Sequence, residues 1–241
     1  MDLSANYRAV HERLVAACAR AGRDPQTVQL VAVSKGHSPE AVRALADCGH
    51  RLFGESKVQE AKAKIPLCPG HLTWHMIGHL QSNKSRDAAQ LFAMIESVDS
   101  LALAEELSCQ AAKLARTVPI LLEVNVGGEA SKFGYPAESV LADLEALNAL
   151  PRLELHGLMA VPPWGPDPEK SRPYFRQLRE LKQRCEARLG APLPHLSMGM
   201  SADFEIAIEE GATLVRVGTA LFGPRTYARK AASEAAAADP T

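Results

Sequence analysis

Short apolar runs alternate with stretches of helical periodicity eight times along the chain, and no other feature limits the fold as much. The runs are Val28–Val33, Arg51–Glu55, Thr73–Gly78, Phe92–Val98, Pro119–Asn125, Leu153–Met159, Pro194–Met198 and Thr213–Val217. They are short and mostly rich in Val, Ile and Leu, as strands buried on both faces are. Between them lie helical segments at 39–48, 56–65, 83–91, after Asp99 or Ser100, from Pro136, at 168–189 and at 202–210, with a last helix from Thr219. An extra helix over residues 3 to about 21 precedes the first run, with Leu3, Tyr7, Val10, Leu14 and Cys18 at steps of three and four.

Parallel strands need crossovers of this length. Eight βα units in 241 residues predict an α/β fold, a single closed (β/α)8 TIM barrel with an extra N-terminal helix; such barrels take about 250 residues. The alternative is an open doubly wound sheet, which usually carries a GxGxxG turn that this chain lacks. Periodicity alone does not separate the two. No Gly- or Pro-rich linker divides the chain, so residues 1–230 are expected to form one domain and 231–241 a disordered tail.

Small and polar residues follow the runs. Ser34-Lys35, Gly54-Glu55-Ser56, Gly78 to Lys84, Asn125 to Gly128, Ser197 to Ser201 and Gly218-Thr219-Ala220 all fall at carboxyl ends. In a barrel they converge on the rim where chemistry collects. Each turn alone is ordinary; six on one rim are hard to explain by turn chemistry.

Lys35 follows the first run by two residues, just ahead of Ser38, which suits a helix N-cap, and Pro39, which suits the first helical position. A lysine there either snorkels to water or sits partly desolvated. Desolvation disfavours its charged form and leaves a neutral amine able to form a Schiff base. At the last two turns, Ser201, Gly218 and Thr219 either hold a phosphate or only cap a helix and make a turn; barrel geometry weighs the two equally. Arg216 interrupts the apolar run LVRVG, where a charge is costly unless it faces a ligand or pairs with a carboxylate such as Glu123 or Glu154.

Other function classes find little support. The net charge of -1 gives no electrostatic footprint for nucleic acid or a membrane. His75 and His79, four apart on a strand, stand about 13 Å apart and cannot share a metal. Five widely spaced cysteines without a CxxC fit a reducing compartment. The N-terminus lacks a signal-peptide apolar core and no apolar run approaches a membrane span, so a soluble cytoplasmic protein is expected. The acidic pairs at 105–106 and 209–210 read as solvated helix faces.

AVSKGHSPEAV at 32–42, FGESKVQEA at 53–61, WHMIGHLQSNKSR at 74–86, ESVDS at 96–100, VNVGGEASKFG at 125–134, HGLMAVPP at 156–163 and LSMGMSADFEIAIEEGATLVRVGTALFG at 196–223 span nearly the whole chain. In this order they resemble the pyridoxal phosphate homeostasis protein family, and more broadly the fold-type III barrel of the alanine racemase group. LSMGMS with VRVGTALFG is the most specific part. The resemblance implies that Lys35 holds pyridoxal 5'-phosphate (PLP) as a Schiff base and that Ser201, Gly218 and Thr219 hold its phosphate. It also implies that Arg216 faces the pyridine nitrogen and that Ser56, His79 and Met200 complete the cofactor site. An always-charged guanidinium there discourages protonation of the nitrogen and weakens carbanion chemistry. The chain departs from many members at Ser56, where they carry asparagine, so a contact from that position is shorter or bridged by water.

Racemases of this group take a second acid/base from a separate β domain, and only 18 residues follow Gly223 here. The expectation is therefore a PLP-binding protein of vitamin B6 homeostasis without strong turnover. Its expected partners are PLP and, transiently, apo-enzymes that require it, and with no apolar patch in view it is expected to be a monomer. Two expectations compete: an amino-acid racemase or lyase with His79 or Tyr135 as proton relay, and an aldolase-like barrel using Lys35 on a sugar substrate.

Overall fold

The computed structural model describes residues 2–129 and 132–224; the tail at 231–241 lies outside them. The elements are α1 (Leu3–Arg20), β1 (Gln29–Val33), α2 (Pro39–Asp47), β2 (Leu52–Glu55), α3 (Val58–Lys64), β3 (Thr73–Met76), α4 (Ser85–Leu91), β4 (Met94–Val98), α5 (Leu101–Lys113), β5 (Val118–Glu123), α6 (Ala137–Asn148), β6 (Leu153–Met159), α7 (Arg172–Leu189), β7 (His195–Ser197), α8 (Phe204–Glu209), β8 (Leu214–Val217) and α9 (Thr219–Phe222). Each strand pairs in parallel with the next and β8 closes on β1, so the sheet is a closed barrel rather than an open one.

Strand alternation divides the apolar residues between two cores. Leu30, Ala32, Phe53, Trp74, Ile95, Ile120, Leu122, Leu196, Val215 and Val217 face outward and join the helices in the large core. Val31, Met94, Leu121, Met159 and Leu214 face inward and fill part of the lumen as a separate, smaller cluster. Ser38 caps α2 through the Ala41 N–H, with Pro39 at the first position, and Ser100 rather than Asp99 caps α5 through the Leu103 N–H.

α1 covers the seam where the barrel closes. Asn6 donates to the Leu221 carbonyl, Arg13 pairs with Glu205 and lies 4.6 Å over the Phe204 ring, and Arg20 pairs with Glu209. The acidic pair at 209–210 is therefore not a solvated face. Glu210 is buried and takes Arg172, Arg176 and Arg179 of α7, while Glu209 takes Arg20 and Arg172. The sequence shows two acidic residues on a helix; only the packing of α7 on α8 brings three arginines to them. The long helix expected from Pro168 begins as a 3-10 turn at Pro168–Ser171, and the one expected from Ala202 begins at Phe204.

Candidate active site at the carboxyl rim

Val31 faces the lumen from β1, and Lys35 follows two residues past the strand's end, in the turn that leads to α2. Lys35 thus reaches the rim half-buried, lining a cavity of about 620 Å³. The same wall takes Ser56 after β2, His79 after β3, Glu123 at the end of β5 and Val161 after β6, with Lys84, Lys132 and Phe133 completing it. Gly78 lets this wall close: a Cβ there would come within 2.6 Å of the Ser56 carbonyl oxygen. The His79 ring stacks on Phe133 at 3.6 Å between centroids, and its Nδ1 lies 3.0 Å from an Asp99 carboxylate oxygen.

The other predicted site residues gather at the ends of β7 and β8. The Ser201 hydroxyl accepts the N–H groups of Gly218 at 3.3 Å and Ala220 at 3.2 Å, tying the two loops together. It does not cap α8. Asp203 takes the N–H of Met200 instead, at 2.7 Å, and a hydroxyl bond from Ser171. Met200 is half-buried beside this turn, and Thr219 is exposed as the first residue of α9. Gly218 joins the two groups: a Cβ there would lie 3.3 Å from Val33, two residues before Lys35. So Lys35, Ser56 and His79 line the cavity itself, while Gly218 borders the end of β1 beside it and carries Ser201 and Thr219 with it; Met200 lies on the turn held by Asp203.

Arg216 is buried inside the barrel. It donates to the Ser197 hydroxyl at 2.6 Å and to the Ala160 carbonyl at 2.9 Å. Ser197 donates to Glu96 at 2.5 Å, and Glu96 lies 2.7 Å from His75 Nδ1. The carboxylate in this chain is Glu96, reached through Ser197, rather than Glu123 or Glu154; Glu154 pairs with His156. Burial alone would raise the Glu96 carboxyl, but His75, Arg216 and Ser197 outweigh it and hold it below the usual range. Burial pulls Arg216 below its ordinary value, opposed by Glu96, Glu123 and Asp203. Glu96 was missed in the sequence although it interrupts the apolar run MIESV as Arg216 interrupts LVRV. The cost argument made for the arginine applies equally to it and would have paired the two.

Tyr135 is not a rim group. Its side chain is buried in the helix-facing core, and its hydroxyl has no partner among the described residues. Burial, with Asp143, Asp99 and Glu105 around it, raises its phenol further. Glu123, by contrast, lines the cavity with a buried Oε2 that has no partner among the described residues. Burial pushes its carboxyl from 4.5 up to about 7, Arg216 pulling down and Asp99 pushing up.

Between pH 4.5 and about 7 the folded protein thus holds a proton on Glu123 that the unfolded chain has lost. Its contribution to stability is complete below 4.5 and falls as pH rises through that window, by up to about 3 kcal/mol. Glu123→Gln is expected to remove this slope in urea melts across pH 4.5 to 8. A slope unchanged in the variant contradicts the assignment. Among the described residues no group of three His, Cys, Asp or Glu side chains is placed to hold a metal ion, and no helix is long and apolar enough to cross a membrane.

Comparison with known proteins places this rim in context. The family model for the alanine racemase N-terminal domain matches residues 5–226. The chain is similar to the pyridoxal phosphate homeostasis protein of Aquifex aeolicus, 45% identical over 219 residues that cover 90% of this chain and 96% of that protein. It is 40% identical to the human pyridoxal phosphate homeostasis protein over 249 residues, covering 96% of this chain and 90% of that one. The structure of PipY from Synechococcus elongatus with PLP bound superposes with a TM-score of 0.78 at 40% identity, over 89% of this chain and all of that one.

Proposed function

The chain belongs to the pyridoxal phosphate homeostasis protein family, built on the alanine racemase N-terminal barrel, and from that premise we propose that it binds PLP covalently on Lys35 and holds it in vitamin B6 homeostasis without strong turnover. The observation that carries this reading is Lys35 in the wall of the rim cavity, in a chain 40% identical to a protein whose structure holds PLP.

The donor set suits the group. Lys35 offers a primary amine from a half-buried position just past a strand end. Were PLP bound, the Ser201 hydroxyl, which here takes the Gly218 and Ala220 N–H groups, and the turn at Gly218-Thr219 would hold its phosphate, and glycine at 218 lets the backbone stand against Val33. PLP supplies, when bound, an aldehyde that condenses with a neutral amine with loss of water, and a ring that draws electrons from the carbon beside that nitrogen. Arg216, fixed by Ser197 and Ala160, carries a guanidinium that would discourage protonation of a ring nitrogen placed against it. Ser56 and His79 line the cavity and would border the ring, with Met200 on the turn beside Ser201. His79, held between Phe133 and Asp99, is then the one relay candidate of the two named from sequence that lines the cavity, and Tyr135 is not available for proton transfer there.

The protein acts on this reading as a cytoplasmic monomer that delivers PLP transiently to apo-enzymes; five unpaired cysteines support a reducing compartment. The PLP-loaded protein incubated with L-alanine in deuterated water is expected to exchange the α-proton no faster than the free cofactor does. Exchange well above that background, lost in His79→Ala, would make it a racemase or lyase instead.

A further inference from the structure

We infer that Lys64, with Glu55 and Glu60, is a brace that fixes the backbone on both sides of Lys35 and so positions its amine; the inference rests on the cofactor reading above. Lys64, the last residue of α3, is 5% exposed in its side chain, and its ammonium donates three hydrogen bonds. They go to the Ser34 carbonyl at 2.7 Å, to Glu55 Oε1 at 2.6 Å and to Glu60 Oε1 at 2.8 Å. The Ser34 hydroxyl also donates to Glu55 Oε1, at 2.7 Å, and the Gly36 N–H donates to Glu60 Oε1, at 2.6 Å. The residue before Lys35 is therefore held by its carbonyl and its hydroxyl, and the residue after it by its N–H.

All three charged groups come from the second βα unit, and none of them lines the cavity. They sit where β1 hands over to α2, at a turn in which Gly36 takes φ +77. The same turn is also tied by the Ser34 N–H to the Gly54 carbonyl, by the His37 N–H to the Ser34 carbonyl and by the His37 ring stacked on Phe222 at 4.9 Å, none of which reaches the Ser34 carbonyl oxygen and the Gly36 N–H together. Burying an ammonium between two carboxylates is costly, and apolar side chains of similar volume often replace such a group without loss. Apolar side chains could not hold the two peptide units that flank Lys35. A nucleophile displaced by about 1 Å loses much of its reactivity, so holding those units sets the amine's approach to the cofactor. Lys64 and Glu60 are positioning residues acting through Lys35.

The test compares Glu60→Ala, Glu60→Gln and Lys64→Met with the unmodified protein, all loaded with PLP. The readouts are the rate at which hydroxylamine strips the cofactor and the pH midpoint of the visible band. Circular dichroism reports folding. Glu60→Ala is expected to lose cofactor about tenfold faster, as loss of the hydrogen bonds that Glu60 takes from Gly36 and Lys64 implies, and to shift the midpoint. Glu60→Gln keeps an oxygen for the Gly36 N–H and is expected to stay within about twofold. Lys64→Met is expected to exceed Glu60→Ala; if it fails to fold, the Glu60 pair decides. Glu60→Ala with unchanged rate and midpoint, or Glu60→Gln as impaired as Glu60→Ala, overturns the brace alone. An unmodified protein that takes no borohydride label at Lys35 overturns the cofactor reading and the brace together.

Discussion

Lys35→Ala is expected to abolish the visible absorbance that the protein gains on soaking with PLP, and to leave the fold intact. The amine is the only group at that position able to condense with an aldehyde, so its loss removes the covalent link outright. The side chain is half-buried at a strand end and belongs to neither apolar cluster, so the fold should survive its truncation with a stability change of about 1 kcal/mol. Lys35→Arg should be equally colourless, because a guanidinium keeps its charge and is not a nucleophile at neutral pH. An aldolase-like barrel would give a colourless protein before any substitution, so the same measurement separates the two chemistries. Absorbance that survives in Lys35→Ala would assign the link to another lysine.

The largest expected effect on stability comes from Glu96. Its carboxylate is fully buried in the lumen and accepts from Ser197 while facing His75, with Arg216 one hydrogen bond further on. Glu96→Leu leaves the Arg216 charge buried without that carboxylate, and His75 and Ser197 without their acceptor. The expected cost is about 3–5 kcal/mol in urea denaturation. Glu96→Gln keeps the shape and an acceptor and is expected to cost less, about 1–3 kcal/mol. A Glu96→Leu protein within about 1 kcal/mol of the parent would mean that the lumen tolerates Arg216 unpaired, against the account given of it.

The barrel was legible because each βα unit announces itself locally. Apolar runs such as LVAV and ILLE stop at small or polar residues, and Ser38-Pro39 marks a helix start that the structure reproduces. Periodicity alone did not separate the closed barrel from an open sheet, because the pairing of β8 with β1 depends on stagger between strands nearly 200 residues apart; eight βα units without a GxGxxG turn pointed to the closure that the structure has. The position of Lys35 at a strand end was readable for the same local reason. The partners of polar residues were not. Ser201 looks like the cap of the helix that follows it, yet its hydroxyl serves N–H groups 17 and 19 residues on. Lys64 looks like an exposed lysine in the helix QEAKAK, yet it is folded under the β1 turn 30 residues earlier. Tyr135 follows a glycine on a loop, as rim residues do, but its ring turns into the helix layer. In each case the sequence supplies the chemistry, and the direction of the side chain is set by packing between distant units.

Borohydride reduction of the PLP-loaded protein, followed by tryptic mapping, tests the covalent assignment most directly. Reduction freezes the link, and trypsin then fails to cut at the modified lysine. The account predicts one modified peptide, Asp24–Arg43, uncut at Lys35. No modified peptide, or a modification confined to Lys57, Lys84 or Lys132 in the wall of the same cavity, would contradict it.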